Sequence, residues 1–183
     1  MRKSVDQMID DLIGKEGRYS WHPNDSGGET MWGVTAATAR ANGYVGAMKM
    51  MPRATAGNIY RAEYFVKPGF DKVYAVSQPI AEEMFDTGVN MGVSIPGPWL
   101  QRILNVLNRE QSDYRDIEVD GKIGPATIAA LRAYLSKRGT DGEKVILRLL
   151  NCLQGVRYIE ITEKRPANEA FMHGWALNRL EIA

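Results

Sequence analysis

Residues 16–35 read EGRYSWHPNDSGGETMWGVT, and the rest of the chain is best read outward from them. The ribbon holds four glycines, Pro23 and three acids, Glu16, Asp25 and Glu29, with few apolar residues to bury. His22-Pro23-Asn24-Asp25 followed by Ser26-Gly27-Gly28 predicts irregular structure or a short hairpin. Upstream, Val5, Met8, Ile9, Leu12 and Ile13 have the spacing of an amphipathic helix. Ser4 and Gln7 form a capping-box pattern at its start. Glu16 therefore falls at or just past a helix C-terminus, where the helix dipole disfavours negative charge.

Downstream the pattern is helical. Thr35 reads as the N-cap of a helix through Ala36, Ala37 and Ala39, and helices are expected over 54–65 and 79–90. Ile80, Met84, Phe85 and Val89 share a face of the latter. The Gly- and Pro-rich run Gly92 to Pro98 marks a boundary. Beyond it we expect a helix over 99–107, a polar loop over 111–120 and a helix over 125–135. A longer helix is expected from about 142 to 163, with Val145, Leu149, Cys152, Leu153, Val156 and Ile159 facing the core. Pro166 ends it, and a short helix containing Phe171, Trp175 and Leu177 follows. The expected class is mainly α, with a small N-terminal β-hairpin or loop.

Composition narrows the function. The 183 residues are 44% hydrophobic and carry a net charge of +1 with no long basic run, so nucleic acid is not an expected partner. One cysteine, Cys152, forbids an intramolecular disulfide. With only His22 and His173 besides, a structural zinc site is not expected. No segment reaches the ~20 apolar residues of a membrane span. MRKSVDQMIDDLIGK lacks the apolar run of a signal peptide, so synthesis in the cytoplasm and release by another route are expected.

Glu16, Asp25 and Thr30 stand in a Glu-x8-Asp-x4-Thr spacing. Glycoside hydrolysis needs a proton donor for the leaving oxygen and a second polar group near the anomeric carbon. When a water stands between sugar and base, the carboxyls lie about 6.5–9.5 Å apart. A helix end followed by a folded-back hairpin can hold two acids across such a gap. Solvated turn residues have the same composition, so the spacing leaves both readings open.

A wider pattern separates them. Glu16-Gly17-Arg18-Tyr19, then His22 through Thr35, resembles the signature E-G-G-Y-x-N-x-P-x-D-x-G-G-x-T-x-x-G-I-T of glycoside hydrolase family 108, muramidases of phage endolysins and secretion-activator-like proteins. The likeness continues through Ile59 to Phe65, through Phe85-Asp86 with Val89-Asn90 and Gly92, and into the C-terminal half. There Val119-Asp120-Gly121, Ile123-Gly124-Pro125, Thr127 and Phe171-x-x-Gly174-Trp175-x-x-Asn178-Arg179 resemble the predicted peptidoglycan-binding region that usually follows. Arg18 in place of the second Gly, Trp21 in place of Asn and Ser26 in place of Pro depart from the pattern without removing a proposed catalytic group.

The resemblance implies a lysozyme-like fold with a catalytic lobe over 1–93 and a helical, peptidoglycan-binding lobe over 94–183, substrate lying in the cleft between them. It implies a general acid at Glu16, with Asp25 and Thr30 completing the triad of related phage-type lysozymes. The implied reaction is hydrolysis, with inversion, of the β-1,4 bond between N-acetylmuramic acid and N-acetylglucosamine, by a monomer without a cofactor. The implied partner is the peptidoglycan glycan strand, reached by a holin-dependent or other release route. Two rivals are a non-catalytic wall-binding or secretion-accessory protein and a metal-dependent wall amidase or peptidase.

Further residues have two readings each. Tyr19 and Trp32 suit stacking on sugars, or Trp32 packs the hairpin onto the first helix. Asn90 suits donating a hydrogen bond to an N-acetyl group, or caps its helix. Tyr64 is a weaker substrate-binding candidate, and it and Asp86 also read as structural. Cys152 reads as a buried, inert thiol, His22 as a loop residue and His173 as a helix residue. The turn Asp120 to Gly124 either binds wall or simply introduces a helix. Arg53, Arg61, Lys67 and Lys72 read as solvated surface that could attract an anionic wall, and Glu29 as the acid of least consequence.

Overall fold

The computed structural model describes residues 4–15, 19–20 and 28–180. By packing, the chain divides into two compact units, Met1–Lys67 and Pro68–Ala183.

The first unit opens with α1 (Val5–Lys15). Its capping box is complete: the Ser4 N–H donates to Gln7 Oε1 at 2.8 Å, and the Gln7 N–H to Ser4 Oγ at 3.3 Å. Val5, Ile9 and Ile13 are buried, each contributing about 1.5–3 kcal/mol by leaving water. They face α3 (Arg53–Arg61), where a methyl at Gly57 would stand 3.7 Å from Ile13 Cδ1. Arg53 donates to Asp10 at 2.6 Å and Arg61 pairs with Asp6, so both cations clamp α3 to α1. Past Arg61 the helix widens into a π turn, Ala62–Val66, closed by the Lys67 N–H donating to the Ala62 carbonyl at 2.9 Å. Nothing in the apolar spacing foreshadows this widening.

Among the described residues, β1 (Tyr19–Ser20), β2 (Thr30–Met31) and β3 (Val34–Thr35) form an antiparallel sheet in that order. Tyr19 opposes Met31, Ser20 opposes Thr30, and Thr30 also opposes Thr35. Met31 and Val34 are buried beneath it. Thr35 then caps α2 (Ala36–Ala41), its side chain accepting the Thr38 N–H at 3.2 Å.

The second unit comprises α4 (Phe70–Tyr74), α5 (Gln78–Met91), α6 (Pro96–Leu107), α7 (Pro125–Lys164) and α8 (Glu169–Arg179). Its core holds Phe70, Ile80, Met84, Phe85, Leu100, Leu104, Leu131, Ile146 and Leu150. Ser77 caps α5 through the Ile80 N–H and donates to Glu143 Oε2 on α7 at 2.7 Å. The α7 span is broken at Gly139, whose φ of 57° is left-handed, so the two helices expected from the pattern are both present.

The buried stripe of the second half of α7 is not the expected one. Gly142, Ile146, Leu150, Gln154 and Tyr158 face inward, whereas Val156 and Ile159 are half exposed and Cys152 is exposed. The helix is turned by about one residue, or ~100°, relative to its most aliphatic stripe. The inward position at 142 has no room for a side chain, since a methyl there would stand 3.0 Å from Tyr134 Cε1. Gln154 and Asn151 also lie in the interior, where counting apolar residues cannot place them. The mainly helical class with a small N-terminal sheet is as expected. No helix among the described residues is long and apolar enough to cross a membrane.

Candidate active site

Thr30, Tyr19 and Trp32 come together on the small sheet. Thr30 sits at the head of β2, with its Oγ1 3.5 Å from the Ser20 carbonyl. That is a long contact, so the hydroxyl keeps its hydrogen-bonding capacity. Glu16 and Asp25 lie outside the described residues, as does His22.

Tyr19 is held from two sides. Its hydroxyl donates to Glu29 Oε1 at 2.8 Å, and Lys49 Nζ lies 4.9 Å from its ring centroid. Desolvation first, then the bond to Glu29 and its charge, push the Tyr19 phenol above its ordinary pKa. It stays a neutral donor at neutral pH. Glu29 therefore has a definite task, orienting Tyr19, and Lys49 covers one ring face. The sequence reads Glu29 as the acid of least consequence and offers no signal at Lys49; strand pairing and packing bring both to Tyr19.

Trp32 occupies the turn between β2 and β3. Trp32 and Gly33 have φ of 57° and 77°, and two left-handed residues in a two-residue loop make a type I′ hairpin. Its indole N–H donates to the Met51 carbonyl at 2.9 Å, and its own carbonyl accepts the Tyr60 hydroxyl at 3.1 Å. The Tyr60 ring in turn lies against Tyr64, centroids 5.6 Å apart and tilted by 42°. Tyr64 stands on the π turn, so a continuous path Trp32–Tyr60–Tyr64 lines one region of the first unit.

Asn90 lies in the second unit, within α5; the helix runs to Met91 and Gly92 terminates it, so Asn90 is not its cap. Its Nδ2 donates to the Asp86 carbonyl at 2.7 Å and to Asp86 Oδ2 at 3.0 Å.

The turn at Asp120 is occupied internally. Buried Gln101 donates through Nε2 to Asp120 Oδ1, to the Lys122 carbonyl and to Thr127 Oγ1, and its Oε1 accepts the Gly121 N–H at 2.7 Å. Gly97 fits against this turn so closely that a methyl would stand 2.6 Å from the Gly121 carbonyl oxygen. The motif is a lock between α6 and the start of α7. The four surface cations are also engaged: besides Arg53 and Arg61, Lys67 pairs with Glu63 at 2.7 Å and Lys72 donates to the Ile123 carbonyl at 3.2 Å. Arg53, Lys67 and Lys72 nonetheless stay exposed, as an ordinary solvated surface is.

Residues 9–92 match the family described as Glycosyl hydrolase 108, and residues 95–181 match a "Predicted Peptidoglycan domain". The chain thus carries a glycosyl hydrolase 108 domain, which makes it a lysozyme-type glycoside hydrolase, followed by a predicted peptidoglycan domain. Among solved structures, SagA of Brucella abortus has a TM-score of 0.57 and 24% identity, over 93% of this chain and 86% of that one. This likeness is one of fold. No curated protein matches the chain. The family division at 92–95 and the packing division at Lys67–Pro68 do not coincide. The helices α4 and α5 belong to the glycosidase segment by sequence and pack in the same unit as the peptidoglycan domain.

Proposed function

We propose that the protein is an N-acetylmuramidase that hydrolyses the β-1,4 bond between N-acetylmuramic acid and N-acetylglucosamine with inversion. The observation that carries this reading is the union, in one chain, of a glycosidase family match over 9–92 and a peptidoglycan domain match over 95–181. In this reading the catalytic lobe spans 1–93 and the wall-binding lobe 94–183.

Glu16 donates its proton to the glycosidic oxygen as the bond to the anomeric carbon breaks. Asp25 accepts a proton from the water that attacks the opposite face, and Thr30 Oγ1 helps orient that water. The charge that develops on the sugar ring is offset by the Asp25 carboxylate. Two carboxyls and a water suffice for the reaction. Tyr19 and Trp32 offer ring faces to the apolar C–H faces of sugars, Tyr64 extends that path, and Asn90 contacts an N-acetyl group. The protein acts as a monomer on glycan strands, in the manner of an endolysin made in the cytoplasm and admitted to the wall by a holin or another release route.

Glu16→Gln tests the reading. Removing a general acid costs about 10²- to 10⁴-fold in rate, so the folded variant should clear peptidoglycan suspensions at that fraction of the wild-type rate. A well-folded variant that lyses at the wild-type rate overturns the assignment. Proton NMR of the first-formed anomer tests inversion, since a retaining enzyme releases the β-anomer first.

A further inference from the structure

The C-terminal helix ends on a residue of the glycosidase segment. Phe171, Trp175 and Arg179 recur every four residues along α8 and share one face. Trp175 stacks between Phe171 and Tyr158 of α7, with centroids 5.9 and 5.2 Å away. One turn further on, Arg179 Nη1 donates to Asp86 Oδ1 at 2.9 Å. Both side chains are about one-third exposed, a setting in which an ion pair fixes geometry more than it adds stability.

The second carboxylate oxygen of Asp86 and its backbone carbonyl take the Nδ2 group of Asn90. Both are acceptors only, so the amide has one permitted orientation: its Nδ2 group, the expected donor to an N-acetyl group, is taken by Asp86, which leaves Oδ1 as the atom for an outside donor. Asn90 itself is exposed. A substrate meeting this residue finds an oriented acceptor, and the acetamido groups of peptidoglycan sugars carry an N–H to match it.

We infer that Arg179 is a positioning residue which, by holding Asp86, fixes Asn90 Oδ1 as an acceptor for a substrate acetamido N–H. The peptidoglycan domain thereby sets part of the binding strength of the glycosidase segment. This rests on the muramidase reading with Asn90 as a substrate contact. The sequence motif that closes the chain then has a mechanical purpose: its aromatic residues seat α8, and its arginine reaches Asp86.

The test is a double-mutant cycle on soluble glycan strands prepared from peptidoglycan, with melting temperatures recorded for every variant. Losing one oriented hydrogen bond should raise KM about three- to tenfold in Asn90→Ala. Arg179→Gln should raise KM by a comparable factor with kcat held, and Arg179→Lys should recover most of the loss. The Arg179→Gln effect should vanish in the Asn90→Ala background, because Arg179 acts through Asn90. If Arg179→Gln does not fold, Asp86→Asn serves in the same cycle with the same expectation. Effects that multiply in the double variant, or a lowered melting temperature with wild-type KM, overturn the inference. A wild-type KM in Asn90→Ala removes Asn90 as a substrate contact and overturns it too. Failure of the muramidase reading is distinct, since it is seen in Glu16→Gln lysing at the wild-type rate.

Discussion

The Tyr60 hydroxyl donates to the Trp32 carbonyl at 3.1 Å across a turn in which Trp32 is left-handed. A bulky L-residue in that region costs on the order of 1–3 kcal/mol, and Asn, Asp or Gly would adopt it more readily. The cost is offset by Tyr60 on one side, by the indole N–H bonded to Met51 on the other, and by the paired strands around the turn. Tyr60→Phe should therefore lower the stability of the protein by about 0.5–1.5 kcal/mol, read by urea unfolding, while leaving the ring contact with Tyr64. An unchanged midpoint would mean that the bond does not hold the turn.

Trp32→Phe separates the indole's two tasks. The phenyl ring keeps an aromatic face for a sugar but leaves the Met51 carbonyl without its 2.9 Å donor. We expect a loss of about 1–2 kcal/mol in stability, with an increase in KM on glycan strands because the ring is no longer tethered. A variant with wild-type stability and raised KM would show that the tether does not support the hairpin.

Gln101 is the corresponding point in the second unit. It is almost wholly buried, and its amide meets Asp120, Gly121, Lys122 and Thr127. Gln101→Ala leaves several of these groups unpaired and should cost about 2–4 kcal/mol. Gly97→Ala should cost about 1–3 kcal/mol through its clash with the Gly121 carbonyl. Both are read by denaturant unfolding, and wall binding should fall only as far as the fold is lost. Selective loss of wall binding in fully folded protein would return a ligand-binding role to this turn.

Acid should weaken the fold in a defined direction. The Asp120 carboxyl is held below its ordinary range by the bond from Gln101 and then by the Lys122 N–H. Asp113 is lowered first by Lys137, and Glu63 first by Lys67 and then by Asn42. Each folded pKa lies below its unfolded value, so the contribution is fully present above the unfolded carboxylate range of ~3.9–4.3. It is lost as the pH falls through the lowered folded values. The melting temperature should drop below about pH 4, and Asp120→Asn should show a shallower acid decline than wild type. Equal slopes in the two proteins, measured by scanning calorimetry, would contradict this assignment.

What could be read from the residues follows their physics. Ser4 with Gln7 and Thr35 with Thr38 announce their caps because capping depends on neighbours in sequence. The small sheet and the helices from α5 onward follow from turn residues and periodicity. The inward face of α7 does not, because its buried stripe includes Gly142, Asn151 and Gln154, which a count of apolar residues passes over. The short α4 escapes because five residues, Phe70–Tyr74, carry too little period to register. At the candidate site, Thr30, Tyr19 and Trp32 were legible as a polar, Gly-rich corner. The partners that orient them, Glu29, Met51 and Tyr60, were not, since contacts such as Trp32 with Met51 and Tyr60 span 19 and 28 residues.

The central claim is that this chain cuts glycan strands at the reducing side of N-acetylmuramic acid, with Glu16 as the acid. Mass spectrometry of peptidoglycan digested by wild-type protein and by Glu16→Gln tests it most directly. We expect new reducing-end N-acetylmuramic acid with wild type and almost none with the variant. New N-acetylglucosamine ends, or equal product from both proteins, would contradict it.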